Sequence, residues 1–383
     1  MQKTVIFLNI SIKIRHNVAF NQISPYLWFT SNEKNLLKGL NENRMRKPIL
    51  CIILFAVCFC AGARNPELRF DKDGKFKVLQ LTDLHLAAGN EEAEISTLEM
   101  IRYEVKTEKP DLIAITGDAI SNGGECRQLF QRFLDALDDL KVPFCFVFGN
   151  HDQEQDMTKA EISEMVAACR YSIAVIGKDG VLADIRVPVK NHKGNGDGFE
   201  LYFMDSHTSI QKGSPYEDMH IRYEWMDFDQ VSWIRNEFRN SAVEHGRIIP
   251  SAAFFHIPLP EFLDAWQVRT SEHYTHNNVT GVRGEYGGHS RINSGMFAAM
   301  LEGGSTIGVF CGHDHDSDFI VDYMGIALAY GRCSGVGNTY HHLRNGARII
   351  EFYEGQRKFT TWILEDNGSK VYTETFNNGT LGN

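Results

Sequence analysis

Val142-Pro-Phe-Cys-Phe-Val-Phe148 runs directly into Gly149-Asn150-His151-Asp152. A short apolar run bounded by turn residues reads as a strand buried on both faces. This one delivers an amide, an imidazole and a carboxylate at its carboxyl end. Upstream, Lys75 to Thr82 alternates polar and apolar residues, the period of a strand, and ends in Asp83-Leu84-His85. Asp111-Leu-Ile-Ala-Ile-Thr116 is another apolar strand, ending in Gly117-Asp118. Between them Glu91 to Glu108 carries Ile95, Leu98, Ile101 and Val105 at helical spacing and stops before Pro110. Glu125 to Leu140 repeats the helical pattern with Leu129, Phe133, Leu137 and Leu140. The order is βαβαβ, an α/β unit whose ligands gather at the carboxyl ends of the strands.

Further along, Glu161 to Arg170 and Asp229 to Glu244 read as helices. Val181 to Val189 and Gly198 to Ser206 read as strands flanking the polar tract Asn191 to Asp197. Ile248 to Phe255 is a strand terminated by His256-Ile257-Pro258. Gln267 to Arg291 is rich in Gly, His and Asn and reads as one long loop, a length at which loops tend to be functional. Ser294 to Leu301 is a short helix, and Ser305 to Cys311 is a strand feeding Gly312-His313-Asp314-His315. Gly325 to Tyr330, Ala347 to Tyr353 and Lys358 to Leu364 are further strands, and Asn367 to Asn383 reads as a polar tail. The expectation is one domain over 64–366.

Composition bounds the function classes. The 383 residues are 43% hydrophobic and 23% charged, with a formal net charge of -10. That is ordinary globular composition, and an acidic balance argues against a nucleic-acid partner, which calls for a basic face. Met45-Arg46-Lys47, the apolar run Ile49 to Cys60 and Ala61-Gly62-Ala63 have the three parts of an export signal. The run is shorter than the roughly 20 residues a membrane span needs, so the expected product is periplasmic or secreted, with no stable span after cleavage. Residues 1–44 then precede a complete signal and read as an upstream mis-start or a disordered segment. Outside that signal lie Cys126, Cys145, Cys169, Cys311 and Cys333, without CxxC spacing. They form neither a zinc knuckle nor a disulfide framework, although one pair could join in an oxidising compartment.

The groups at the strand ends are Asp83, His85, Asp118, Asn150, His256, His313 and His315. This mixed oxygen and nitrogen set suits Mn²⁺, Zn²⁺ or iron rather than a soft ion. Seven donors are too many for one such ion and suit two, with a carboxylate such as Asp118 able to bridge. Two cations so held bind a phosphoryl group and acidify a shared water, which as a bridging hydroxide would attack in line. His151, beside Asn150, is free to stabilise charge or supply a proton, and Asp152 to orient its ring.

Asp-x-His, Gly-Asp, Gly-Asn-His-Asp, a later His and Gly-His-x-His occur here in that order, from Asp83 to His315. The sequence resembles the calcineurin-like metallophosphoesterase superfamily. Its stretches His256 to Glu261, Asn293 to Phe297 and Gly312 to Phe319 look like the purple-acid-phosphatase-like branch. The resemblance implies an αββα sandwich of two mixed β-sheets flanked by helices, with a dimetal site at the strand carboxyl ends. By motif matching, one metal takes Asp83, His85, Asp118 and His315, and the other Asp118, Asn150, His256 and His313. His151 matches the acid or transition-state stabiliser. In true purple acid phosphatases an iron-binding Tyr stands where this chain has Ser121, so neither the purple colour nor an obligatory Fe³⁺ is implied.

Other groups take lesser parts. His192, His207, His220, His245, His341 and His342 read as surface or locally bonded groups. His273, His276, His289, Arg283, Glu285 and Tyr286 share the long loop and could face substrate. Asp205 could back the site or cap a strand, and Trp225, Trp233 and Trp266 read as packing. The expected activity is phosphomonoester hydrolysis on a small substrate. The alternatives are a phosphodiesterase acting on nucleotides or glycerophosphodiesters, and a metal-binding surface protein without catalysis.

Overall fold

Alternate residues of β1 (Lys75–Leu81) enter two different cores. Phe76 and Val78 join one apolar cluster, while Leu79 and Leu81 join another, as the period of two requires. The computed structural model containing this strand describes residues 66–382, apart from 122, 123, 125, 154, 155, 269–277 and 338–341. The segments 1–44 and 45–63, expected as an upstream mis-start or disordered segment and as an export signal, lie outside the described residues, as do His273, His276 and His341.

The βαβαβ unit is present. β1 is followed by α1 (Glu91–Glu108), β2 (Leu112–Thr116), α2 (Cys126–Leu140) and β3 (Phe144–Val147). These three strands are parallel. β11 (Gly346–Tyr353) pairs antiparallel with β1, and β12 (Lys358–Glu365), β13 (Lys370–Asn377) and β14 (Thr380–Leu381) extend the sheet beyond it. The order of this first sheet is β14-β13-β12-β11-β1-β2-β3.

The second sheet has the order β4-β5-β6-β8-β10-β9-β7. Its strands are β4 (Ile185–Lys190), β5 (Asp197–Phe203), β6 (Ser251–Phe254), β7 (Val279–Thr280), β8 (Thr306–Cys311), β9 (Ile320–Tyr323) and β10 (Ile326–Tyr330). β5, β6, β8 and β10 run parallel, and β4, β9 and β7 pair antiparallel. Both sheets are therefore mixed. The remaining helices are α3 (Lys159–Ala168), α4 (Phe228–His245), α5 (Glu261–Val268) and α6 (Met296–Gly303). Capping boxes start two of them, Thr158 with Glu161 for α3 and Asp227 with Gln230 for α4.

Three apolar layers follow. Between the sheets sit Phe76, Val78, Phe199, Phe254, Phe310, Phe352 and Phe359. The rings of Phe199 and Phe352 meet across this layer at 4.4 Å. Truncating such a ring to Ala is expected to cost about 3–5 kcal/mol. Leu79 and Leu81 pack outward against Ile101, Leu129, Phe133 and Ile162 of α1 to α3. On the opposite flank Tyr202 and Val309 pack against Ile234, Phe238, Phe262 and Met300 of α4 to α6. The αββα sandwich implied by the resemblance is the observed architecture.

Two segments differ from the sequence reading. The stretch expected as a polar tail forms β13 and β14. β13 is nearly an edge strand, so its only fully buried side chain is Phe376, stacked on Phe359 at 5.3 Å, and the period is almost invisible. The long loop is interrupted: its first residues complete α5, and Val279–Thr280 pair with β9. Among the described residues Cys126, Cys145, Cys169, Cys311 and Cys333 are free, so no disulfide joins them.

Candidate metal centre

The parallel strands of both sheets end at one edge. Asp83 and His85 follow β1, Asp118 follows β2, Asn150 follows β3, His256 follows β6, and His313 and His315 follow β8. One donor atom from each of Asp83, His85, Asp118 and His315 lies within 4.8 Å of the others, and the same holds for Asp118, His256 and His313. Asn150 joins the second group, its Oδ1 lying 3.1 Å from His256 Nε2. All seven side chains singled out in the sequence thus come together, with Asp118 common to both clusters.

The loops are strained and bonded to one another. Asp83, His85, Asp118 and His313 have φ of 54°, 45°, 53° and 79°, a region costing about 1–3 kcal/mol for a residue with a side chain. Cross-loop bonds hold it. Asp83 N–H donates to Gly117 O at 3.1 Å, and His85 N–H to Asp118 O at 2.9 Å. The sheets are clipped together where the His313 N–H reaches the Asp83 carboxylate at 3.0 Å and Gln80 Nε2 donates to Cys311 O at 3.0 Å. Two motif glycines allow this closeness. A Cβ at Gly149 would stand 2.1 Å from Asp118 Oδ1, and one at Gly312 would stand 1.8 Å from Thr82 Oγ1.

Two of the ligating groups, His256 and Asp118, are aimed by their other ends. His256 Nδ1 donates to Thr116 O at 2.8 Å, so its Nε2 presents a lone pair to the cluster. Asp118 Oδ1 accepts the His151 N–H at 2.8 Å. Among the described residues, buried Asp118 Oδ2 has no hydrogen-bond partner and lies 3.5 Å from His85 Nε2 and 3.1 Å from His256 Nε2. His85 Nε2 and His315 Nε2 face each other at 3.0 Å. A buried carboxylate oxygen without a donor, facing convergent ring nitrogens, is a costly arrangement unless a cation lies among them. The donor set fits two borderline cations sharing Asp118.

Electrostatics agree. Burial lowers His85 to about 4 and His313 to about 3, which keeps both rings neutral and able to ligate near pH 7. Burial would also lower His256, but the carboxylates of Asp118 and Asp83 outweigh it and hold the ring at about 10, so Nε2 keeps a proton near pH 7 and offers its lone pair only when a cation displaces that proton. Burial would raise Asp83, yet His315 and His256 draw it down to about 2.

Asp152 has a different task from the one expected. Its Oδ1 accepts the N–H groups of Ala119 and Ile120 at 2.8 and 3.2 Å, and its Oδ2 those of Asp118 and Gly149 at 3.0 and 2.7 Å. It joins two motif loops rather than aiming the His151 ring. Asp314 turns away from the clusters and accepts from Tyr330 Oη at 2.6 Å and from Gly288 N–H at 2.8 Å. Ser121 lies behind His85 and donates to its carbonyl at 3.4 Å. His151 is half-buried, its ring 5.2 Å from that of His85.

Most secondary histidines are locally bonded. His207 meets Gln230, His245 meets Asp197, His192 meets Glu354, His342 meets Asp316 and His289 meets Ser290 O. Asp205 pairs with Lys159 at 2.6 Å, and Glu285 accepts from Asp316 N–H at 2.8 Å. Sequence reasoning missed Thr208, which donates to Asn150 O at 3.2 Å, and Tyr223, whose ring meets that of His313 at 4.5 Å. Burial pushes the Tyr223 hydroxyl up to about 12. Neither residue lies in a motif, and only the fold brings them near.

Among curated proteins, the chain is 28% identical over 336 residues to "Probable inactive purple acid phosphatase 29" of Arabidopsis thaliana, spanning 76% of this chain and 82% of that protein. It is 29% identical over 329 residues to "Phosphatase DCR2" of Saccharomyces cerevisiae, spanning 77% of this chain and 54% of that protein. Among solved structures, a dimetal phosphatase from Danio rerio superposes with a TM-score of 0.54 at 12% identity, covering 79% of this chain and 99% of that one, which is a likeness of fold. The family model for calcineurin-like phosphoesterase matches residues 76–317, more than half of the sequence. The chain belongs to the calcineurin-like phosphoesterase family.

Proposed function

We propose that this protein is an exported enzyme that hydrolyses phosphomonoesters at a pair of metal ions. The observation that supports it most is Asp118 Oδ2, buried without a hydrogen-bond donor among the described residues, between His85 Nε2 and His256 Nε2. Asp83, His85, Asp118 and His315 would hold one cation, and Asp118, Asn150, His256 and His313 the other. Such a pair neutralises phosphoryl charge and makes a shared water acidic.

The protein's own groups do the rest. Thr116 O fixes which nitrogen His256 presents. Asp118 Oδ1 pins the His151 backbone, so the ring stands at a set place beside the first cluster. There His151 donates a hydrogen bond to the phosphoryl group or a proton to the departing oxygen. Export rests on Met45 to Ala63 of the sequence; recovery of the natural protein with that segment intact would contradict it.

A non-catalytic reading draws on the word "inactive" in the names of three relatives. Against it stands the complete donor set of this chain. The test is hydrolysis of an aryl phosphate monoester and the matching diester with added Mn²⁺, Zn²⁺ or Fe²⁺, and again with chelator. Monoester turnover that chelator abolishes is the expected result. Faster diester turnover would replace the monoesterase reading by a diesterase one. No turnover of either, nor of a panel of natural phosphoesters, by protein that holds metal would favour the non-catalytic reading.

A further inference from the structure

Two aromatic groups pack against the clusters, one at each. His151 packs beside His85 of the first, and Tyr223 packs edge-on against His313 of the second, ring centroids 4.5 Å apart at 88°. Tyr223 is fixed in place. Ser290 Oγ donates to its carbonyl at 2.9 Å, its backbone bridges to Ser209, and it is 6% exposed. The Arg222 guanidinium lies 4.9 Å from its ring centroid.

The hydroxyl has a donor to spare. Among the described residues it makes no hydrogen bond, and it is not one of the partnerless oxygens closed off from solvent, so it is open to a ligand. The ring packs against His313, a donor of the second cluster, which sets Tyr223 beside that cluster. What is missing there is an acceptor, and a phosphoryl group seated on the metals would supply one. We propose that the Tyr223 hydroxyl donates a hydrogen bond to a non-bridging phosphoryl oxygen of the bound substrate, on the side of His256 and His313. The inference rests on the phosphoesterase reading.

The test compares the wild-type full chain with Tyr223→Phe, which keeps the ring against His313. Inorganic phosphate binding is read by calorimetry, metal content is measured on the same samples, and KM and kcat are taken on aryl and alkyl monoesters. Loss of one hydrogen bond to a charged group should weaken phosphate binding and raise KM by about 10- to 100-fold, with kcat and metal content held. Unchanged phosphate affinity would overturn the proposal. So would a fall in metal content, which would make Tyr223 a packing partner of His313. A kcat loss larger for alkyl than for aryl esters would instead make it a proton donor to the leaving group, and would overturn the proposal too. The phosphate arm works without turnover, so wild-type protein that binds phosphate yet hydrolyses nothing still tests Tyr223. Wild-type protein that does neither would remove the phosphoesterase reading, and this inference with it.

Discussion

Asp152 Oδ2 accepts the backbone N–H of Asp118 at 3.0 Å, tying the third motif loop to the second. The same oxygen accepts the N–H of Gly149, and its companion those of Ala119 and Ile120. The loop that carries the shared carboxylate is therefore held from behind by a second carboxylate that belongs to neither cluster.

Asp152→Asn replaces one acceptor oxygen by a donor that faces backbone N–H groups. Each buried N–H left unpaired costs about 1–3 kcal/mol. Thermal unfolding should show a clear loss of stability, and elemental analysis a loss of bound metal. Metal content and melting temperature equal to wild type would exclude this clamp.

Gly149→Ala should act on the same carboxylate by contact. Its Cβ would lie 2.1 Å from Asp118 Oδ1, so Asp118 or the loop must move. The expected protein is folded, with native far-ultraviolet circular dichroism, but depleted of metal and of activity. Normal metal stoichiometry would show that the loops yield more easily than their packing suggests.

His151 supplies no donor to either cluster, so His151→Ala should keep its metals while turnover falls about 10²–10⁴-fold, as loss of a general acid or base implies. Metal loss in this variant would move His151 from chemistry to scaffolding.

Much of this was legible in the sequence because the family's chemistry sits in short contiguous motifs at strand ends. The periods of β1, α1 and α2 marked the elements, and the residues after each strand marked the site. Asp152 was legible as a residue and not as a role, since its partners Ala119 and Ile120 lie on another loop. β13 escaped because an exposed strand with one buried Phe has no apolar period. Thr208 and Tyr223 escaped because only the packing of the second sheet brings them to Asn150 and His313. Nothing local announced the buried Arg332, whose Nε donates to Asp318 at 3.1 Å beneath the last ligand loop.

Glu104 gives a pH signature independent of the metals. It is fully buried on α1, and among the described residues neither carboxyl oxygen has a hydrogen-bond partner. Burial, then the charge of Asp366, holds its pKa well above the usual 4.5. The folded state thus binds a proton that the unfolded chain releases above 4.5. Its stabilising contribution is full below that pH and is lost as pH rises. Glu104→Gln should therefore gain stability over wild type toward pH 8, and the gap should close below pH 4.5. Denaturant unfolding of both proteins across that range checks it; a pH-independent gap would contradict the buried neutral acid.

The most direct test of the central claim is the metal-to-protein ratio of the purified full-length chain, measured with aryl phosphate turnover before and after chelation. About two ions per chain are expected, with turnover lost on chelation and restored by Mn²⁺, Zn²⁺ or iron. Replacing the shared ligand, in Asp118→Asn, should lower occupancy at both positions. A chain that binds no metal, or one whose turnover survives complete removal of metal, would contradict a dimetal phosphoesterase.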